Sequence, residues 1–251
     1  MDSTSINPMT TPIKTEAGGL WTDFHSHCLP GMDDGAGNLE TAAAMLRLLG
    51  EQRVDRVVLT SHYYPHREPL PRFLERREEA FRQLEQAPGR DSLPQTCLGA
   101  EVRLVRGIGE QDLRPLCIQG TRLLLLELPM AGYRPWMLEE LQNLTYSLDI
   151  VPLLAHIERY LAWYTKADYE ALLSFDELVF QCNMPSLVER KSFRFLYGLM
   201  EAGYPLVPGS DAHNLDSRPP RFGEASAALE RSRKGRALLA HLRESTRALQ
   251  G

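Results

Sequence analysis

Short apolar runs alternate with amphipathic stretches along almost the whole chain, and this alternation limits what it can fold into. The first run is W-T-D-F-H-S-H at Trp21–His27. Val54–Thr60, Pro94–Glu101, Thr121–Leu126, Ile150–Ala155, Glu177–Gln181 and Pro205–Pro208 follow. Helical patterns lie between them: Asn38–Gly50 with Asn38 as its cap, Pro71–Gln86, Pro135–Leu144, Asp168–Leu173 and Leu187–Ala202. Arg221–Glu230 and Lys234–Leu249 close the chain, and Arg103–Gln119 has room for a short helix. Strands separated by helices pair in parallel through right-handed crossovers. No G-x-G-x-x-G motif follows the first run, which weighs against a dinucleotide-binding sheet. The expected class is α/β: a parallel barrel of about seven strands, one short of the usual eight.

No repeat or linker divides the 251 residues, and with 43% apolar residues they can bury a sizeable core. Residues 1–20 are polar and lack signal-peptide features, so they read as a mobile tail before a single domain over 21–251. A formal charge of -5 disfavours non-specific binding to nucleic acid or to an anionic membrane. No apolar run is long enough to span a bilayer. The four cysteines show no C-x-x-C spacing, which fits reduced thiols and a cytoplasmic location.

The chemistry-bearing residues fall at the strand ends. His25 and His27 close the first run, two apart, so that an extended chain points both to one side. His62 follows the second run, Glu101 the third, Glu127 the fourth and His156 the fifth; Asp211 and His213 follow the seventh. Asp33 and Asp34 lie on a Gly/Pro-rich turn that can fold back over the same place. In a parallel barrel all strand C-termini open on one face, where active sites sit. Taken singly, Glu127 could be a buried ion-pair partner, His156 a core histidine and Asp211 a turn cap. Jointly they mark a metal centre, while His66 and His241 are expected at the surface. Mixed imidazole and carboxylate donors suit Mn, Fe or Zn, and the absence of Cys argues against a structural zinc site. So many ligands imply two or three ions. Cys97 and Arg103 fit the C-x5-R spacing of cysteine-dependent phosphatases, but a glutamate in the interval would repel phosphate.

The motifs H-S-H, D-D-G, S-H, G-A-E, A-H-I-E-R-Y and S-D-A-H-N with R-P-P, in this order from about residue 21 to 222, resemble the polymerase-and-histidinol-phosphatase (PHP) superfamily. The similarity is greatest to its bacterial metal-dependent protein-tyrosine phosphatases of capsule and exopolysaccharide clusters. That resemblance implies a distorted TIM-like (β/α)7 barrel with a trinuclear, commonly Mn-loaded site. It implies that His25, His27, Glu101 and Asp211 hold one ion, that Glu101, Glu127 and His156 hold a second, and that Asp34, His62 and His213 hold a third. Arg159 and Arg218 would grip the phosphate. The implied partner is the phosphotyrosine tail of a bacterial tyrosine kinase. Two features depart from the family pattern: about twenty residues precede the first histidine, and Y-Y-P-H-R follows His62.

A phosphate monoester dianion repels an anionic nucleophile, so its hydrolysis needs positive charge at the phosphoryl oxygens. A phenolate is a better leaving group than an alkoxide. The other enzymatic reading is a PHP phosphoesterase for a small molecule such as histidinol phosphate. A non-catalytic module that binds a phosphorylated tail would be free to lose ligands, and none is missing here.

Overall fold

The computed structural model describes residues 21–250; the expected tail over residues 1–20 lies outside the described residues. The strands are β1 (Trp21–Ser26), β2 (Val54–Leu59), β3 (His62–Tyr63), β4 (Gln95–Leu98), β5 (Glu101–Arg103), β6 (Leu123–Glu127), β7 (Val151–Leu154), β8 (Val179–Asn183) and β9 (Leu206–Gly209). The helices are α1 (Leu39–Glu51), α2 (Leu70–Glu85), α3 (Pro135–Leu148), α4 (Lys166–Leu172), α5 (Arg190–Glu201), α6 (Phe222–Glu230) and α7 (Arg233–Gln250). All strand pairings are parallel, in two sheets ordered β1-β2-β4 and β3-β5-β6-β7-β8-β9.

The two sheets are one ring of seven strand paths. β2 and β3 lie on one path, as do β4 and β5, each broken by two residues. Hydrogen bonds carry the pairing across the breaks: Gly99 N–H donates to Leu59 O at 3.0 Å, and Glu101 N–H to Thr60 O at 3.1 Å. On the far side the chain beyond β9 meets β1. Asp211 N–H donates to His25 O at 2.7 Å, and His27 N–H donates to Ala212 O at 2.9 Å. The ring therefore closes through the residues that carry the candidate donors.

Two expected strands are cut by the breaks in the ring. Val54–Thr60 stops at Leu59, and Pro94–Glu101 is interrupted at Gly99 and Ala100. A Cβ on Gly99 would lie 3.1 Å from Val58 Cγ1, so the two paths approach closely only because this residue has no side chain. Beyond the break the register sets His62 opposite Glu101. Other boundaries also differ. α4 starts at Lys166, because Thr165 and Asp168 form a capping box with Asp168 at its third position. Leu187–Ala202 divides into a 3-10 turn at Met184–Val188 and then α5. Arg103–Gln119 holds two single 3-10 turns. Asn38 caps α1 as expected, accepting from Thr41 N–H at 2.9 Å. His241 is not a surface residue: it is half-buried, and its Nε2–H donates to Tyr204 O at 2.8 Å.

Alternation along the strands divides the core. Leu124, Leu126, Leu154, Phe180 and Leu206 face outward and pack with helix residues such as Met45, Leu46, Leu141, Leu196 and Leu238. Leu123, Leu125, Leu153, Val179 and Val207 form a separate cluster with Phe24 and Val58, filling the ring from inside. The four cysteines are unpaired and buried. Among the described residues no helix is long and apolar enough to cross a membrane.

Leu124 is fully buried between the ring and its helical layer. Leu124→Ala is therefore expected to lower stability by about 2–5 kcal/mol in urea denaturation. A loss of only a few tenths would contradict this packing.

Candidate metal centre

β1 delivers His25 and, one residue past its end, His27; both side chains are fully buried. His25 Nδ1 lies 2.9 Å from Gln181 Oε1, and His27 Nδ1 lies 2.8 Å from Asp33 Oδ2. Gln181 Oε1 also accepts from His156 N–H at 2.7 Å, which fixes the orientation of that amide. An amide or carboxylate oxygen can only accept here, so each Nδ1 carries the proton. In the neutral rings both Nε2 atoms then present lone pairs, and they approach to 3.1 Å. Two lone pairs so close repel each other, and a shared cation removes the repulsion.

Glu101, at the start of β5, takes the centre of the cluster. Its Oε2 lies 2.9 Å from His62 Nδ1, 3.3 Å from His25 Nε2 and 3.4 Å from His27 Nε2. Even so, neither Glu101 Oε2 nor His62 Nδ1 has a hydrogen-bond partner. These atoms are aimed at common points and not along hydrogen-bond directions. His213 follows the same rule: its Nδ1–H donates to Asp211 O at 2.9 Å, leaving a buried Nε2 without a partner. That Nε2 is 3.6 Å from Asp34 Oδ1, as is His62 Nε2.

All nine donors named from the sequence meet at this rim. Three groups have donor atoms within 4.8 Å of one another: His25, His27 and Glu101; His62, Glu101 and Glu127; and His27, Asp34, His62 and His213. His156 Nε2 touches Glu101 Oε1 at 3.1 Å, and Asp211 Oδ1 lies 3.5 Å from both His25 Nε2 and His27 Nε2. The two arginines face the same acid. Arg159 pairs with Asp211 Oδ2, and Arg218 Nη2 lies 3.0 Å from Asp211 Oδ1. Asp34, 67% exposed, marks the mouth.

The electrostatics fit a site made to hold positive charge. Burial alone would raise the pKa of Glu101 and Asp211, but the neighbouring histidines hold both carboxyls well below the usual range, with Arg159 helping at Asp211. Burial would lower His25 and His27, but the surrounding acids push both up. His213, buried beside His27, falls to about 4 and so stays neutral. The lone-pair convergence, the unpartnered buried nitrogens and the hard-to-borderline donor set all fit divalent ions.

Several residues that serve the donors were missed by a reading that counted histidines and acids at strand ends. Gln181 and Asn183 are neutral; Asn183 Nδ2–H donates to Asp211 Oδ2 at 3.1 Å. Arg103 Nη1 pairs with Glu127 Oε2 at 2.7 Å. The doublet Asp33-Asp34 was visible, but nothing in it said that the first acid would turn to His27 and only the second toward the mouth. Cys97 lies in the barrel interior, where burial pushes its thiol pKa up, and the arginine spaced from it serves Glu127. The C-x5-R spacing therefore forms no phosphate loop.

Residues 21–245 match the family model described as "Capsular polysaccharide synthesis, CpsB/CapC". The chain is 29% identical to tyrosine-protein phosphatase YwqE of Bacillus subtilis (strain 168) over 229 residues, covering 83% of this chain and 84% of YwqE. It is 30% identical to tyrosine-protein phosphatase CpsB of Streptococcus pneumoniae over 221 residues, covering 81% and 87%. Among solved structures, one reported with the YwqE and CpsB "unique metal-dependent tyrosine phosphatases" superposes with a TM-score of 0.71 at 24% identity, covering 88% of this chain and 94% of the other. Histidinol phosphate phosphatase of Lactococcus lactis shares the fold at a TM-score of 0.51 and 12% identity, covering 90% and 93%.

Burial raises the pKa of Asp33, but the charge of His27 and hydrogen bonds from His27, His62 N–H and Gly35 N–H outweigh it, bringing the value from 3.8 to about 2. A lowered carboxyl pKa contributes stability above pH ~4 that is lost as pH falls toward ~2. In chelator-treated protein, Asp33→Asn is expected to cost about 2 kcal/mol at pH 7 and to flatten the acid limb of stability between those pH values. Urea titrations across pH read both, and an unchanged acid limb would contradict the pairing.

Proposed function

The chain belongs to the CpsB/CapC family of capsular polysaccharide synthesis, and from that membership we propose that it is a metal-dependent protein-tyrosine phosphatase. Its substrate is phosphotyrosine in the tail of a bacterial tyrosine kinase, its product inorganic phosphate and the free phenol, and its ion manganese. The observation that carries the reading is the rim itself: nine donors from six strand paths and one turn, with buried nitrogens turned lone-pair inward.

His25, His27, Asp34, His62, Glu101, Glu127, His156, Asp211 and His213 would hold the ions. When bound, such ions lower the pKa of water toward about 7 and neutralise phosphoryl oxygens. The protein's own residues do the rest. Gln181 and Asp33 orient His25 and His27 by fixing the proton on Nδ1. Arg103 holds Glu127 from the side, and Asn183 holds Asp211. Arg159 and Arg218 are 36% and 39% exposed at the mouth, and each exchanges part of its bond to Asp211 for a phosphate oxygen. Their planar donors match phosphate better than an ammonium would, and they hold the dianion in line for attack. The barrel filling below the donors excludes water from that side, which strengthens every charge interaction above it.

Metal-stripped protein is expected to lose phosphotyrosine-peptide hydrolysis and to regain it best with Mn, with metal analysis finding two to three ions per chain. Full turnover in an ion-free sample would refute the mechanism. Arg159→Ala and Arg218→Ala are each expected to lower kcat/KM on the order of 100- to 1000-fold, as for loss of one transition-state donor. Cys97→Ser should retain turnover, and its loss in a folded variant would return the chemistry to the thiol.

A further inference from the structure

The segment after His62, Y-Y-P-H-R at 63–67, supplies none of the nine donors. Within it the ring of Tyr64 stacks on the ring of His62, with centroids 5.0 Å apart and planes 28° apart. The guanidinium carbon of Arg67 in turn lies 4.4 Å from the centre of the Tyr64 ring. A turn holds the arrangement, closed by Arg67 N–H donating to Tyr64 O at 2.9 Å. The result is a ladder of His62, Tyr64 and Arg67 that leads outward from the donor cluster. His62 is 13% exposed, Tyr64 half-buried and Arg67 exposed.

The ladder stands at the mouth. Its base, His62, faces Asp34 and Glu101. Every other arginine named above at this rim has an acid: Arg103 has Glu127, and Arg159 and Arg218 have Asp211. Arg67 makes no ion pair among the described residues. Stacking on an aromatic face fixes a guanidinium in place while leaving its N–H donors available. A phosphotyrosine with its phosphate beside His62 has this wall within reach of its ring and of the residues next to it.

We propose that Tyr64 and Arg67 are specificity residues of this site: Tyr64 flanks the substrate's ring, and Arg67 pairs with a carboxylate next to the phosphotyrosine. The preferred substrate class is then an acidic phosphotyrosine peptide. This deepens the phosphatase reading above and rests on it.

The test uses the full, Mn-loaded chain and two labelled peptides carrying a non-hydrolysable phosphonate analogue of phosphotyrosine. One has Glu beside the analogue and the other has Gln. Fluorescence anisotropy is expected to show the Glu peptide bound about three- to fivefold tighter at low salt, the range of one exposed ion pair, and the preference should fade in high salt. Arg67→Glu should reverse the preference. Tyr64→Ala, which frees the guanidinium, should erase it, and Tyr64→Phe should keep it. Equal binding by the wild type, or an unchanged preference in Arg67→Glu, would overturn the proposal. Turnover of the matching phosphotyrosine peptides separates the two readings. Hydrolysis of both with no binding preference overturns the wall alone. A preference that follows Arg67 in a protein that hydrolyses neither peptide overturns the phosphatase reading and supports the wall.

Discussion

The structure depends on one constraint: lone pairs of buried imidazoles and carboxylates face one another, and at His25, His27 and His213 a hydrogen bond on the far side of the ring holds them there. Desolvated groups of this kind are costly unless they are paired or liganded. The supports are correspondingly strict. One amide, Gln181 on β8, touches His25 on β1 and the backbone of His156 beyond β7, so a single side chain ties three strands. Asp33 binds His27, His62 N–H and Gly35 N–H together. A Cβ on Gly209 would come within 2.5 Å of Gln181 Nε2 and 2.7 Å of His25 Cβ, so even this strand must lack a side chain for the amide to fit.

The backbone carries part of the load. His156 has φ +33° and Asp211 φ +52°, left-handed values that cost a non-glycine residue on the order of 1–3 kcal/mol. Both lie just past a strand end, where the chain must turn over the rim. At Asp211 the same turn lets the N–H reach His25 O while the carboxylate meets His25, His27 and two arginines. Closure of the ring and presentation of the acid are one local event.

Much of this was legible in the sequence, for a physical reason. A parallel ring forces strand C-termini onto one face, so His25, His62, Glu101, Glu127, His156 and Asp211 could be gathered by position alone. The seven strand paths also followed from alternation with helices. What stayed hidden were the breaks after Leu59 and Leu98, because a two-residue kink leaves the apolar pattern intact. The supports stayed hidden too. Gln181 is uncharged, Asp33 and Asp34 are indistinguishable as letters, and Arg103 reads only as the end of a C-x5-R spacing. Which acid is a ligand and which an orienting partner is decided by turn geometry that composition does not carry.

The apolar filling of the ring has a consequence for traffic. Phe24, Leu125, Leu153, Val179 and Val207 make an apolar, close-packed floor beneath the donors. Any ion or phosphate-bearing ligand held by the donors would therefore enter and leave on the side of Asp34, whose side chain is exposed.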